Sequence, residues 1–380
     1  MPLDALYSLA LSGQPLSIEQ GLRLYLDAPL PQLMHIAHEL RCQRSNPAVV
    51  TWQIDRNVNI TNVCTSGCKF CNFHCSPRSS RAFITTMEQY RPKIDELLRH
   101  GGHQLLLQGG LHPELGLAFY QDLFRQLKNY CPSLVLHALG PPEVAHIARL
   151  EGMSHREVLQ ALMQAGLDSL PGAGAEILVD EVRQRISPGK PSVDQWASVM
   201  REAHSLGMLT SATMMVGHVE TPRQRLEHLA LLRDIQQQRP QGTSGFMNFV
   251  VWTFQGQGTA LAADPSCRPM DAEQYIRTVA ISRIMLHNID HIQASWLTVG
   301  RQTAQLCLHG GADDLGSIMI EENVVSAAGA HHRMDAQAMQ QTIAEAGFRP
   351  QLRDQRYRHV ELPASAQAQL QLRPATPTVA

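Results

Sequence analysis

The stretch Asn59-Ile-Thr-Asn-Val-Cys64-Thr-Ser-Gly-Cys68-Lys-Phe-Cys71 decides how the rest of the chain is read. A β-type run, 58–63, ends directly in cysteines spaced C-x3-C-x2-C. From there, strand-type runs recur at 104–108, 134–138, 167–170, 209–216, 246–252, 292–296 and 317–320. Helical stripes fill the gaps. Trp196, Val199, Met200, Ala203 and Leu206 form one, and Ile276, Val279, Ala280 and Ile284 another. Thr85 and Thr86 can cap a helix running through Tyr90, Ile94 and Leu97 to Gly101 and Gly102. Eight strands alternating with helices predict an α/β fold, a (β/α)8 TIM-type barrel. A doubly wound sheet fits less well, because no GxGxxG follows the first strand. Residues 1–50 read as a helical extension, 51–330 as the barrel and 331–362 as a C-terminal extension packed on it. The stretch 363–380, rich in Ala, Gln and Pro, reads as a mobile tail.

Composition narrows the function. With 32 Lys and Arg against 34 Asp and Glu, the net charge of −2 argues against a partner bound through nucleic-acid phosphates. Charged residues are 17% of the chain, below the roughly 25% usual in soluble domains. That scarcity suits a parallel sheet buried under helices. No apolar run approaches the roughly 18 residues of a membrane span. The N-terminus lacks a basic n-region, so no secretory signal is expected and the cytoplasm is the default location. Eight cysteines are too sparse for a disulfide scaffold. Four of them (Cys64, Cys68, Cys71 and Cys75) crowd into one loop, which points to metal.

Barrel enzymes carry their chemistry at the C-terminal ends of the strands, where this loop falls. Thiolates at C-x3-C-x2-C can hold three irons of a [4Fe–4S] cube and leave the fourth open to a non-protein ligand. The same residues allow two other readings. One is a zinc site completed by Cys75 or His74. The other is a closed four-cysteine cluster, with Cys75, that only transfers electrons.

The cysteine motif after the first barrel strand resembles that of the radical S-adenosylmethionine (radical SAM) superfamily. The resemblance implies Cys64, Cys68 and Cys71 as ligands of a [4Fe–4S] cluster, with S-adenosylmethionine on the open iron. It implies Phe70 near the adenine, and Gln108, Gly109 and Gly110 at the methionine amine, where glycine lets backbone approach a ligand closely. It implies Glu176 on the ribose hydroxyls, which a carboxylate can accept together. On the residues alone, Glu176 also suits a helix start, and the glycines a strand-to-helix turn.

Within the superfamily, 165–178, 185–190 and 213–221 resemble the group of aminofutalosine synthases, deazaflavin synthase subunits and dehypoxanthine futalosine cyclases. Segments 137–143, 293–301 and 316–330 resemble the cyclases in particular. One departure stands out: Asn-Phe-His-Cys-Ser-Pro follows Cys71 where many relatives have Ala-Phe-Tyr-Arg. The departure counts against His74 and Cys75 as functional groups and leaves them a role in shaping the loop.

The cyclase resemblance implies a small-molecule substrate, dehypoxanthine futalosine, on the route to menaquinone. A 5′-deoxyadenosyl radical would take hydrogen from the sugar C4′, and the carbon radical would add to the benzoate ring. An electron donor such as flavodoxin or ferredoxin is implied as partner. His218, Glu220 and His137, at strand ends, are candidates to accept the ring proton. Ser295, Arg301, Glu321, Glu322 and Asn323 are candidates to hold the substrate by rim position. Arg301 equally suits a salt bridge at a helix start, and the Glu321–Glu322 pair a solvated loop.

Overall fold

The computed structural model describes residues 1–362; the expected tail, 363–380, lies outside them. The sheet contains β1 (Val49–Gln53), β2 (Asp55–Asn59), β3 (Gln104–Gln108), β4 (Val135–Ala138) and β5 (Ser169–Leu170). It continues with β6 (Leu209–Val216), β7 (Phe246–Thr253), β8 (His291–Ala294), β9 (Asp314–Ser317) and β10 (Arg349–Leu352). All pairings are parallel, in the order β10-β1-β9-β8-β7-β6-β5-β4-β3-β2. Only Ile54 separates β1 from β2, so the sheet curls back on itself through one segment. On one side the carbonyls of Gln53 and Asp55 accept from Ile318 and Ile320 at 3.2 and 3.3 Å. On the other, Asp55–Asn59 pair with Gln104–Gln108. The result is a TIM-like α/β sheet with helices outside, as expected.

Helix starts are locally encoded. Ser192, Thr221 and Asp271 each form a capping box with a glutamine three residues on, satisfying two free amides at each terminus. The stripe of Trp196, Val199, Met200 and Ala203 is fully buried against the sheet. Three helices, Leu3–Leu11, Ile18–Asp27 and Leu30–Cys42, precede β1. Among the described residues, no helix is long and apolar enough to cross a membrane.

Two strand positions differ from the sequence expectation. The first inner strand is Asp55–Asn59, not 58–63, and β9 ends at Ser317, where the expected strand began. Both inner faces are polar. Asp55, Asn57 and Asn59 alternate into the barrel and line its cavity, so a search for apolar strands passes over them. β1 and β10 were not expected. β10 follows the helix Ala336–Glu345 and pairs with β1, bringing Arg353 to the barrel interior.

Candidate active site

A cavity of about 410 Å³ runs down the barrel from the cysteine loop. Cys64, Cys68 and Cys71 all line it, and none is in a disulfide. The loop is held from both sides. Cys64 N–H donates to Cys75 O at 3.1 Å and Cys75 N–H to Asn62 O at 2.9 Å. Lys69 N–H donates to Ile186 O at 2.8 Å, and Gly189 N–H to Ser66 O at 3.0 Å. Gly67 turns the chain at φ +64°, a left-handed conformation that favours glycine. Ser66 Oγ lies 2.9 Å from Cys64 Sγ and 3.2 Å from Cys68 Sγ, and Leu111 N–H donates to Cys64 Sγ at 3.3 Å. Burial pushes the Cys68 thiol up to about 11 and raises that of Cys71, so thiolates here call for a bound cation.

The second strand end closes on this loop. Gly110 N–H donates to Thr61 O at 2.9 Å, and Thr65 N–H to Leu111 O at 3.1 Å. A Cβ on Gly110 would sit 2.1 Å from Val63 O and 2.7 Å from Cys64 Cβ. Gly110→Ala must therefore displace the Cys64 segment. Its expected outcome is a stability loss of about 1–3 kcal/mol, typical of overpacking, together with reduced iron loading. Thermal melts and iron content after anaerobic reconstitution check it.

Opposite the thiols, Glu176 and Lys190 form an inner ion pair, Nζ to Oε1 at 2.6 Å, with the carboxylate 5% and the ammonium side chain 13% exposed. Glu176 sits at φ +44°. Its other oxygen, Oε2, is buried with no hydrogen-bond partner. Lys190 Nζ also lies 5.1 Å from the Phe70 ring centre, a cation–π contact. Burial disfavours the ammonium, but the Cys68 and Glu176 charges outweigh it and raise the Lys190 pKa. Glu143, on the first turn of helix Pro141–Glu151, also faces the cavity. Burial raises its carboxyl to about 7.

The cavity floor is polar. Arg353 holds Asp314 through two bonds of 2.6 and 2.9 Å and donates to Gln53. Gln53 donates to Asp55 at 2.9 Å, and Ser317 Oγ donates to the same carboxyl, whose pKa burial raises. Beside this network Asn57 Oδ1 and both ends of the Gln104 side-chain amide are buried without hydrogen-bond partners. His137 lines the same wall with Nδ1 2.7 Å from Ser169 Oγ. Burial lowers its pKa to about 3, so the imidazole stays neutral.

Of the residues expected at the site, the cavity brings together the three cysteines, Phe70, Gln108, Gly109, Gly110, Glu176, His137, Ser295 and Glu322. The others lie elsewhere. His218 is fully buried, with Nε2 3.0 Å from Met215 O and Nδ1 3.2 Å from Glu220. Glu220 accepts from Gly217 and His218 amides and from Arg225, which donates to Tyr25 at 2.7 Å. This cluster ties helix Ile18–Asp27 to the barrel and lies outside the cavity lining, which removes both residues as proton acceptors. Arg301 pairs with Glu345. Glu321 pairs with Arg56 and Lys93, and Asn323 donates to Glu321. Arg301 and Glu321 therefore serve ion pairs outside the cavity lining, whereas Asn323, itself outside the lining, also donates to the cavity residue Asn59 at 3.3 Å. Glu322 reaches the cavity, but its carboxylate accepts three backbone amides, from Val324, Val325 and Ser326, each at 2.7 Å.

Lys190, Glu143, Asp55, Asn57, Gln104 and Arg353 were not expected. Glu143 had a signal: an acidic residue after Gly-Pro-Pro, where a helix starts at a strand end. Arg353 had none, since its partners lie far away in sequence.

The donor set fits the implied cofactors. Cys75 does not line the cavity that the other three thiols share. Among the described residues, no group of three His, Cys, Asp or Glu could hold a single metal ion, so the zinc arrangement finds no donor set. A cube instead takes one thiolate on each of three irons. The glycine cradle and the unpartnered Glu176 oxygen leave room and an acceptor for a ligand beside it.

Comparison with known proteins agrees. The radical SAM superfamily model matches residues 58–232, and that of the CofH/MqnC C-terminal region residues 243–366. The chain is 40% identical to the cyclic dehypoxanthine futalosine synthase of Streptomyces coelicolor, covering 94% of this chain and 89% of that one. It is 36% identical to the 5-amino-6-(D-ribitylamino)uracil–L-tyrosine 4-hydroxyphenyl transferase of Methanopyrus kandleri, covering 95% and 97%. The fold matches the crystal structure of methylornithine synthase (PylB) with a TM-score of 0.66 at 20% identity, over 91% and 97% of the two chains.

Proposed function

The chain belongs to the radical SAM superfamily, in the group carrying the CofH/MqnC C-terminal region, and on that premise we propose that it cyclises dehypoxanthine futalosine. Members of the superfamily use a [4Fe–4S] cluster and S-adenosylmethionine, which together supply one-electron hydrogen abstraction when bound. In this reading the substrate loses a hydrogen atom from C4′ to the deoxyadenosyl radical and its sugar carbon joins the benzoate ring. The ring radical then gives up one proton and one electron, the electron returning to the oxidised cluster that would be held by the three cysteines, so the product is two hydrogens lighter.

Cys64, Cys68 and Cys71 hold the cluster, and Glu176 offers Oε2 to the ribose of S-adenosylmethionine while Lys190 fixes its other oxygen. Phe70 packs beside them. Asn57 Oδ1 and both ends of the Gln104 amide lack partners, and sugar hydroxyls, which donate and accept, supply them. Unmet buried acceptors are unfavourable by about 1–3 kcal/mol each, so a polyhydroxylated substrate is strongly favoured over an apolar one. Of the three expected proton acceptors, His137 is the one that lines the cavity; Ser169 orients it, and because burial disfavours its charged form it passes the ring proton on rather than holding it. With substrate seated, the barrel walls limit access of water and stray hydrogen donors to the reacting carbons.

The observation that carries this reading is the match along nearly the whole chain to a cyclic dehypoxanthine futalosine synthase, together with that sugar-ready floor. Its test is anaerobic turnover with S-adenosylmethionine and a strong reductant, offering dehypoxanthine futalosine and, separately, 5-amino-6-(D-ribitylamino)uracil with tyrosine. The expected result is 5′-deoxyadenosine with a futalosine-derived product two hydrogens lighter. A joined uracil–phenol product would reassign the enzyme to the transferases. 5′-Deoxyadenosine with both substrates unchanged would sink the cyclase reading and keep the radical chemistry.

A further inference from the structure

An electron must enter the three-cysteine centre from outside the chain, and one stretch of surface is built to receive its carrier. Phe73 lines the cavity with the three thiols. Its ring meets that of Phe83 edge-on, with centroids 6.1 Å apart. Phe83 is 39% exposed and Ile84 beside it 40%. The other exposed large hydrophobic residues among those described, such as Leu26 and Leu150, stand singly in the sequence, as is ordinary for a surface.

The two exposed side chains are mounted rigidly. Phe83 N–H donates to Asn62 Oδ1 at 3.0 Å, Asn62 Nδ2 to Arg81 O at 2.9 Å, and Thr61 Oγ1 to Phe83 O at 2.7 Å. Thr85 Oγ1 donates to Asn59 O at 2.6 Å. Each bond ties 81–85 to the segment leading into Cys64. An apolar surface fixed in advance loses little ordering entropy when a partner covers it.

The segment that carries these side chains is basic up to Glu88, in the first turn of the following helix. No Asp or Glu occurs from Arg56 to Met87, whereas Lys69, Arg78 and Arg81 are exposed. Among the described residues, Arg78 and Arg81 form no ion pair. The opposite side of the loop is less basic, because Asp264 pairs with Arg185 there at 2.5 Å.

We propose that the Phe83–Ile84 edge, rimmed by Arg78 and Arg81, docks an acidic one-electron carrier protein of flavodoxin or ferredoxin type. The proposal rests on the radical chemistry above and not on the identity of the substrate. One electron moves: the carrier is oxidised by one and the cysteine centre reduced by one, with no bond made or broken. Positive charge steers the acidic partner in, and the Phe83–Phe73 pair forms an aromatic bridge from that surface to the cavity.

The test is stopped-flow reduction of the reconstituted enzyme by reduced flavodoxin and by reduced ferredoxin, with dithionite as a small-molecule reference. The double variant Arg78→Glu/Arg81→Glu should lose at least about tenfold in second-order rate constant at low salt, as for steered association. It should also lose most of the salt dependence. Phe83→Ser should slow the carrier reaction while leaving the salt slope in place. Iron content, dithionite reduction and dithionite-driven 5′-deoxyadenosine formation should match the wild type, which separates this proposal from the radical reading. Hydrogen exchange on the wild type, needing no variant, should show protection over 78–85 when oxidised carrier is added. Equal carrier rates in variant and wild type, or no reduction of the wild type by either carrier, would overturn the proposal. So would a loss that dithionite shares, absent protection, or a loss confined to Lys69→Glu.

Discussion

Alanine at any one of Cys64, Cys68 or Cys71 is expected to abolish 5′-deoxyadenosine formation, a loss beyond about a thousandfold, or about 4 kcal/mol of barrier. The reason is geometric. All three thiols come from one loop and face one cavity, and no other cysteine shares it to replace a missing ligand. Iron and sulfide content and the visible absorption of the reconstituted protein should fall together. Cys75→Ala is the contrast. Cys75 is 5% exposed and reaches the loop through backbone bonds to Asn62 and Cys64, which alanine keeps. That variant should retain its cluster and the spectral response to S-adenosylmethionine. If it instead lost iron as the other three do, Cys75 would be a fourth ligand and the open-iron chemistry would fail.

Lys190→Met carries the second large effect. It leaves the Glu176 carboxylate buried and without its cation, beside Cys68. Removing one partner of a buried pair destabilises by roughly 3 kcal/mol or more, and the cation–π contact to Phe70 is lost with it. Denaturant unfolding should report that loss. Adding Glu176→Gln should recover much of it, because the uncompensated charge is then gone, and the non-additivity of the pair measures their coupling. Affinity for S-adenosylmethionine should stay poor in the double variant, since the ribose acceptor is altered too. Recovery of stability and affinity together would show that Glu176 supports only the fold.

The failures of sequence reading at the site share one cause. His218 and Glu220 stand past the end of β6, as rim residues do, yet Arg225 and Tyr25 draw them into the packing between barrel and N-terminal helices. Arg301 sits just past β8 but finds Glu345 from the helix Ala336–Glu345. Position along a strand fixes which end of the barrel a residue occupies. Which neighbour claims its charge depends on elements that arrive from far away in the chain.

By itself the sequence determined what is local. It set the alternation of strands and helices, the capping boxes and the loop that presents three cysteines within eight residues, 64–71. Each depends on spacing within a few turns of chain, where period and backbone preference act directly. The tertiary structure alone decided the rest. It paired Lys190 with Glu176 across 14 residues and Arg353 with Gln53 across 300. It also turned Asp55, Asn57 and Asn59 inward to make a polar floor from a strand with little apolar character. Burial creates those choices: a charge or amide removed from water must find a partner wherever the closing sheet places one.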